Sequence, residues 1–414
     1  MDTVSPILGW QPGESFDALL ERMAGLPAWQ PFDARAVAFV ERFSQRLLTA
    51  RAVRQHPELA ALGHWFRGAS LRRMAGDALP RADSMQLGRG LAFHIAPSNV
   101  DSVFLYSCLI SLLAGNPNIV RLSQKSNAAL SLVTEVLGAV LEEDVGRAVV
   151  GRIALLTYGH DQAVTQAISG RCMLRVVWGG DATVAAVRAV PLRPTAVELC
   201  FPNRFSAAAL EADAVLRATA AQLEQLARHF ADDAFWFAQQ ACSSPRWLAW
   251  VGAPADVERA QALFWPALQR VLQQREPDNT EAMSMDRLTA VFEYAAGAHA
   301  RPTGSGARIA FPQRLTTEHG LDGALRDRHC GNGLFLEHQA TTLAGLADQF
   351  VDRDQTLAVY GFDRAQVEAF VLALGARAID RIVPVGQALS FSSLWDGQDL
   401  FTSFTRRIQI VLPA

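Results

Sequence analysis

Apolar residues first recur at helical spacing and later gather into short unbroken runs. Phe16, Leu19, Leu20 and Met23 share one helical face, and Val37, Phe39, Val40, Phe43, Leu47 and Leu48 share another. Residues 14 to 76 therefore read as helices, and Pro80 ends this layer. From about Gly88 the rhythm becomes strand, turn, helix, strand. Gly90–Ala96, Asn118–Leu122, Ile153–Thr157 and Leu174–Trp178 read as strands, each followed by a helix. Ser98 and Asn99 are N-cap types before a helix that Gly115 can end, and Ser126 or Asn127 caps a helix to about Leu141. Short apolar strands alternating with helices predict a parallel sheet covered on both faces. In such sheets ligands bind beyond the carboxyl ends of the strands.

A long helical stretch from Glu211 to Phe230 is expected to lead into a second α/β region. Its strands are Trp247–Val251, Gly333–Glu337 and Leu357–Phe362. Residues 276 to 330 are richer in Gly, Pro and polar types and predict no clear element. The expected domains are a helical layer over 1–85, an α/β domain over 86–205 and a second over 206–385. Residues 386–414 either return to the first or form an oligomerisation strand.

The 414 residues allow two or three domains. With 19% charged residues and a net charge of −3, the chain lacks the basic footprint of a nucleic-acid binder. The run from Val100 to Ala114 is broken by Asp101, Ser102, Ser107 and Ser111, so it reads as a buried helix and not a membrane span. The first residues lack a secretory pattern. Five widely spaced cysteines, with no C-x-x-C and no Cys/His cluster, exclude a disulfide framework and a zinc site and fit a reducing cytoplasm. There are 37 arginines and one lysine, Lys125, in the loop after Val120-Arg121-Leu122.

Several residues could carry chemistry. Cys242, in Ala241-Cys242-Ser243-Ser244-Pro245, is flanked by small and polar residues ahead of a strand. Cations or helix N-terminal dipoles there would favour a thiolate, and thiolates attack thioesters; a small buried hydrophobe is the other reading. Asn99, after a strand and Pro97-Ser98, is either an N-cap or an amide donor to an oxyanion. Arg121 can meet a ribose hydroxyl or a 2′-phosphate, or can simply be solvated. Gly179-Gly180 lets backbone approach a phosphate or a nicotinamide ring, or forms a structural turn. Glu198 is a lone carboxylate in an apolar strand, either a general base or a paired structural group. No G-x-G-x-x-G is present, so an ordinary Rossmann dehydrogenase is not supported.

The order of these features resembles the aldehyde dehydrogenase superfamily, and within it the acyl-CoA reductases of the LuxC type. The resemblance covers about residues 36 to 410. It includes His56-Pro57-Glu58-Leu59, Ala241-Cys242-Ser243-Ser244-Pro245, Asp380-Arg381-Ile382-Val383-Pro384 and Trp395-Asp396-Gly397. It implies an α/β fold, aldehyde-dehydrogenase-like, with two Rossmann-like domains on parallel sheets and an N-terminal helical layer. It implies Cys242 as nucleophile, Asn99 as oxyanion donor and Glu198 at or beside the position of the hydrolytic base. Arg121, Ser123, Lys125, Gly179 and Gly180 are implied at the cofactor, NADPH or else NADH. The implied reaction is reduction of a fatty acyl thioester to an aldehyde. Its donor is acyl-CoA or an acylated protein, supplied in the latter case by an acyl-protein synthetase or thioesterase partner. A homo-oligomer is also implied. The chain departs from the superfamily in Pro-Ser-Asn for Pro-Trp-Asn and in Arg121-Leu122 for Lys-Pro. Cys200 and Phe201 replace glycines after the glutamate, and no Glu-x-Phe-Gly-Pro segment occurs. Two other readings are an aldehyde oxidiser with Glu198 as base and a catalytically degenerate scaffold.

Overall fold

A computed structural model describes residues 4–77, 83–97, 102–124, 127–297, 300–303, 310–317, 320–375 and 378–412. The chain divides into two compact units, residues 1–203 with 391–414 and residues 204–390.

The first unit begins with β1 (Ser5–Leu8) and four helices, α1 (Phe16–Gly25), α2 (Ala34–Thr49), α3 (Pro57–Trp65) and α4 (Gly68–Asp77). Ser15 and Asp33 cap α1 and α2 through their side chains, and the apolar stripes read from the sequence are the buried faces. There follow β2 (Ser84–Gly88), β3 (Ala92–Ile95), α5 (Ser102–Leu113), β4 (Asn118–Leu122), α6 (Ala128–Glu142), α7 (Asp144–Arg147), β5 (Ile153–Thr157), α8 (Gln162–Ser169), β6 (Leu174–Trp178), α9 (Asp181–Arg188) and β7 (Val197–Phe201). Asn127 supplies the cap of α6. The sheet order is β1-β5-β4-β3-β6-β7, parallel except for β1, which pairs antiparallel with β5. Strands buried on both faces are mostly apolar, as in β6, where all five residues are buried and only Arg175 is polar. The chain builds β3, β4 and β5 outward on one side and then crosses to β6 on the other. The strand order therefore reverses between β3 and β6, where such sheets open a crevice.

His94 in β3 is fully buried, 2.9 Å from the Ser107 hydroxyl and 3.0 Å from the Asn118 amide oxygen. Burial pushes its pKa down to about 4, so it is a neutral bridge that ties β3 to α5 and β4. Gly115, at φ +96°, ends the segment after α5; a β-carbon there would lie 2.2 Å from the Trp29 carbonyl oxygen.

The second unit holds β8 (Phe205–Glu211), α10 (Ala212–Arg217), α11 (Ala220–Phe235), β9 (Pro245–Val251), α12 (Pro254–Arg275), α13 (Glu281–Ala296), β10 (Ala300–Pro302), β11 (Gln313–Thr317), α14 (Gly323–Asp327), β12 (Leu334–Ala340), β13 (Asp354–Tyr360), α15 (Arg364–Ala373) and β14 (Arg381–Pro384). Its sheet order is β10-β11-β12-β9-β8-β13-β14, parallel except for β10. The expected long helix from Glu211 to Phe230 is corrected here. Glu211 closes a strand, α10 stops at Arg217, and Thr219 opens α11 with a capping box. Phe-Ser-Ala-Ala-Ala-Leu-Glu has helix-forming alanines and no β-branched residue, yet it lies between β9 and β13, where burial on both faces overrides propensity. Two buried clusters cover the sheet, one around Phe230, Trp250 and Phe264 and one around Trp247, Tyr294 and Phe350.

The chain ends in the first unit with a hairpin, β15 (Leu394–Trp395) and β16 (Gln398–Asp399), then α16 (Leu400–Phe404) and β17 (Thr405–Gln409), which pairs antiparallel with β2. Asn116 donates to the Phe404 carbonyl at 3.0 Å and Tyr106 donates to that of Ser392, fastening this segment. Among the described residues, no helix is long and apolar enough to cross a membrane and no His/Cys/Asp/Glu group could hold a metal ion.

Candidate active site

The crevice of the first unit lies where the strand order reverses. It is a cleft of about 870 Å³ lined by the ends of β3, β4, β5 and β6, including Ile95, Arg121, Tyr158, Trp178 and Gly180. Arg121 is the penultimate residue of β4. Its guanidinium donates to the carbonyls of Tyr158 at 3.2 Å and Gly159 at 3.5 Å and lies 5.2 Å from the Tyr158 ring. Its Nε–H is buried without a partner. Ser123, Gly179 and Gly180 also line the cleft. Gly180 is the N-cap of α9, so no side chain caps that helix. Trp178 stacks on Phe201, with centroids 3.8 Å apart and 14° between planes, and its Nε1–H is likewise buried without a partner.

These features fit a dinucleotide. Two buried donors await acceptors, an uncapped helix N-terminus favours anions, and tyrosine and tryptophan rings offer flat apolar contact. Lys125, expected at the cofactor, and Asn99, expected as the oxyanion donor, lie outside the described residues.

Glu198 sits in β7 opposite Arg175 of β6. One carboxylate oxygen accepts from Arg175 Nε at 2.7 Å, and the other accepts from Arg188 Nε at 3.1 Å. Arg175 is 2% exposed and also donates to Ser169 Oγ and the Val190 carbonyl. Both carboxylate oxygens are thus engaged by guanidinium donors. Glu198 is therefore an ion-paired carboxylate in this structure. Glu198→Gln should keep turnover within about threefold while lowering stability by about 1–3 kcal/mol, because Arg175 loses its charged partner. Parallel assays of turnover and urea denaturation check this; a collapse of turnover in a stably folded variant would restore Glu198 as a base.

In the second unit, Cys242 lies in the turn that enters β9 at its amino end. Its carbonyl accepts from Ser206 Oγ at 2.7 Å, and that oxygen in turn accepts from the Thr356 N–H at 3.2 Å. Cys242 is half-buried, whereas its neighbours Ala241, Ser243 and Ser244 are buried. The helix that precedes it, α11, ends at Phe235, so in the chain a helix C-terminus comes before Cys242. Arg246 interacts electrostatically with it: burial lowers the Arg246 pKa, and the charges of Cys242 and Cys330 in their thiolate forms oppose that shift. Burial pushes Cys108 and Cys172 up to about 12, and Cys200 and Cys330 up to about 11, so these four thiols stay protonated and unreactive at neutral pH.

Ser206, Gln239 and Arg246 were not apparent as parts of this site from the sequence. The Gln239-Gln240 pair was the available signal, since two amides next to a cysteine turn have backbone groups to satisfy.

A family model described as Acyl-CoA reductase (LuxC) matches residues 68–295, more than half of the chain. The structure is similar to an oxidoreductase from Marinobacter aquaeolei, with a TM-score of 0.67 and 11% identity over 95% of this chain and 89% of that one. It is similar to a NAD-dependent benzaldehyde dehydrogenase from Corynebacterium glutamicum, with a TM-score of 0.63 and 13% identity over 100% and 94%. A lactaldehyde dehydrogenase from Escherichia coli has a TM-score of 0.60 and 11% identity over 96% and 86%. At these identities the likeness shows a shared fold, that of the aldehyde dehydrogenases. No curated protein sequence matches.

Proposed function

Because the chain belongs to the LuxC acyl-CoA reductase family, a family of oxidoreductases, we propose that it reduces an acyl thioester to an aldehyde through an acyl group carried on Cys242. The observation that carries this reading is the setting of Cys242: a half-buried thiol in a pinned turn beside Arg246, in a chain whose other thiols are held protonated.

The Cys242 thiolate attacks the thioester carbonyl carbon. A bond forms from Sγ to carbon, the donor's carbon–sulfur bond breaks, and the donor leaves as its thiolate. The backbone N–H of Cys242 and the amide of Asn99, the role implied by its motif, stabilise the oxyanion of the tetrahedral intermediate. The chemistry that a reduced nicotinamide dinucleotide supplies when bound is hydride for the acyl carbon. Arg121, Ser123, Gly179 and Gly180 would hold that dinucleotide, and the positive charge of Arg121 suits the 2′-phosphate of NADPH. Cys242 is released as thiolate when the aldehyde departs, which restores the starting state.

The proposed donor is a fatty acyl-CoA or an acylated protein, and the proposed assembly is a homo-oligomer. The test is to incubate the protein with acyl-CoAs of increasing chain length and either NADPH or NADH, trapping aldehyde as its hydrazone. The expected result is aldehyde in step with dinucleotide oxidation, faster with NADPH. Oxidation of added aldehyde to acid without CoA, and no reduction of any thioester, would overturn the proposal.

A further inference from the structure

Three consecutive residues ahead of Cys242 have left-handed backbone: Phe237 at φ 56°, Ala238 at 48° and Gln239 at 66°. None is glycine, the residue that adopts this region without steric cost. A second left-handed run, Gly331 at 70°, Asn332 at 55° and Gly333 at 80°, packs against the first. The Asn332 N–H donates to the Ala238 carbonyl at 2.8 Å, and Gln240 Nε2 donates to the Cys330 carbonyl at 2.7 Å. The fit is close: a β-carbon on Gly331 would lie 2.5 Å from Gln240 Nε2. Arg287 donates to the Asn332 carbonyl at 2.7 Å, and the Asn332 amide donates to Asp286 at 3.1 Å, so α13 holds the second run in place.

Gln239 joins these parts. It is completely buried. Its Nε2 donates to the carbonyls of Pro245 at 2.9 Å and Leu334 at 3.0 Å, and its Oε1 accepts from the Gly333 N–H at 2.9 Å. Its main-chain carbonyl accepts from Arg246 Nε at 3.2 Å. One side chain thus ties the strained turn to the first residue of β9, to the first residue of β12 and to the second left-handed run. The Arg246 side chain is fastened to the same residue. Backbone strain persists only where surrounding structure enforces it, and it collects where geometry matters to function.

We propose that Gln239 is a positioning residue for Cys242. Its carboxamide latches the left-handed turn so that Sγ is held at one place at the amino end of β9. The proposal rests on the reading of Cys242 as nucleophile. Without the latch the turn can relax toward ordinary backbone, and an ångström of displacement at a reacting atom costs about 10²-fold in rate.

Gln239→Gly separates the latch from the strain, because glycine accepts this backbone while removing the amide. Gln239→Asn keeps an amide one methylene too short to reach Leu334. Both variants should fold and should lose about 10²-fold in kcat with KM for the thioester within twofold. Iodoacetamide labelling of Cys242, followed across pH, should slow and shift in both, a readout that a purely structural role would leave unchanged in the folded protein. A folded Gln239→Gly with kcat within twofold of the parent and an unshifted labelling profile would overturn the proposal. So would a glycine variant that does not fold, since Gln239 would then serve stability. Cys242→Ser run alongside separates the two claims: if that variant still turns over, the nucleophile reading fails, and the labelling profile alone judges the latch.

Discussion

Cys242→Ser should lower turnover of an acyl thioester by about 10³-fold or more, with folding unchanged. Serine has nearly the same shape, and backbone bonds help to place residue 242: its carbonyl accepts from Ser206, and the turn around it closes from the Ser244 N–H to the Ala241 carbonyl. The fold therefore has little to lose. The chemistry loses a great deal. A thiol is partly ionised near neutral pH, whereas a hydroxyl needs a general base to become nucleophilic. Of the groups coupled to Arg246, Cys330 is held protonated by burial. Steady-state assays of the purified variant, with circular dichroism as the folding control, measure this. A serine variant with more than a tenth of the parent turnover would remove Cys242 from the covalent role.

Asp354→Ala should destabilise the protein by about 3–5 kcal/mol, the usual cost of stranding one member of a buried ion pair. Asp354 and Arg326 have side chains only 1% and 2% exposed. Arg326 grips the carboxylate with two parallel bonds, Nε to Oδ1 at 2.9 Å and a terminal nitrogen to Oδ2 at 2.7 Å. The same carboxylate accepts from the Val351 N–H at 2.8 Å. Removing it leaves a desolvated guanidinium and an unpaired backbone donor. The effect also bears on the site. Asp354 opens β13, and two residues later the Thr356 N–H donates to Ser206 Oγ, the group that pins the Cys242 carbonyl. Loss of stability should therefore come with faster alkylation of Cys242. Urea denaturation measures the first effect and timed labelling the second; a loss below about 1 kcal/mol would show that the pair is solvated in solution.

Much of the first sheet is legible in the sequence because its central parallel strands, buried on both faces, are short and mainly apolar. Ile153–Thr157 and Leu174–Trp178 are recognisable on that ground alone. β1 escapes the same reading: it is a short antiparallel edge strand whose first three residues are exposed, so no burial pattern marks it. β8 escapes because alanines mark helix locally and only the neighbours β9 and β13 make the segment a strand.

The site shows the same division. Arg121 lies at a strand end and Gly179 and Gly180 follow one, positions that can be counted along the chain, and the structure brings them to one cleft with Ser123. Glu198 looks solitary in its own strand because its partner Arg175 is 23 residues away on β6, a pairing set by register. Gln239 is hidden for a different reason. A left-handed turn is normally announced by glycine, but Phe237-Ala238-Gln239 adopts one through contacts with residues 331–334, which are distant in sequence.

The central claim is that Cys242 carries the acyl group, and intact-protein mass spectrometry after incubation with acyl-CoAs in the absence of any nicotinamide dinucleotide tests it most directly. The predicted result is a mass increment equal to one acyl group, mapped by peptide analysis to Cys242, absent in Cys242→Ser and discharged when NADPH is added. An acyl adduct on another residue, or reduction of the thioester by Cys242→Ser at the parent rate, would contradict it.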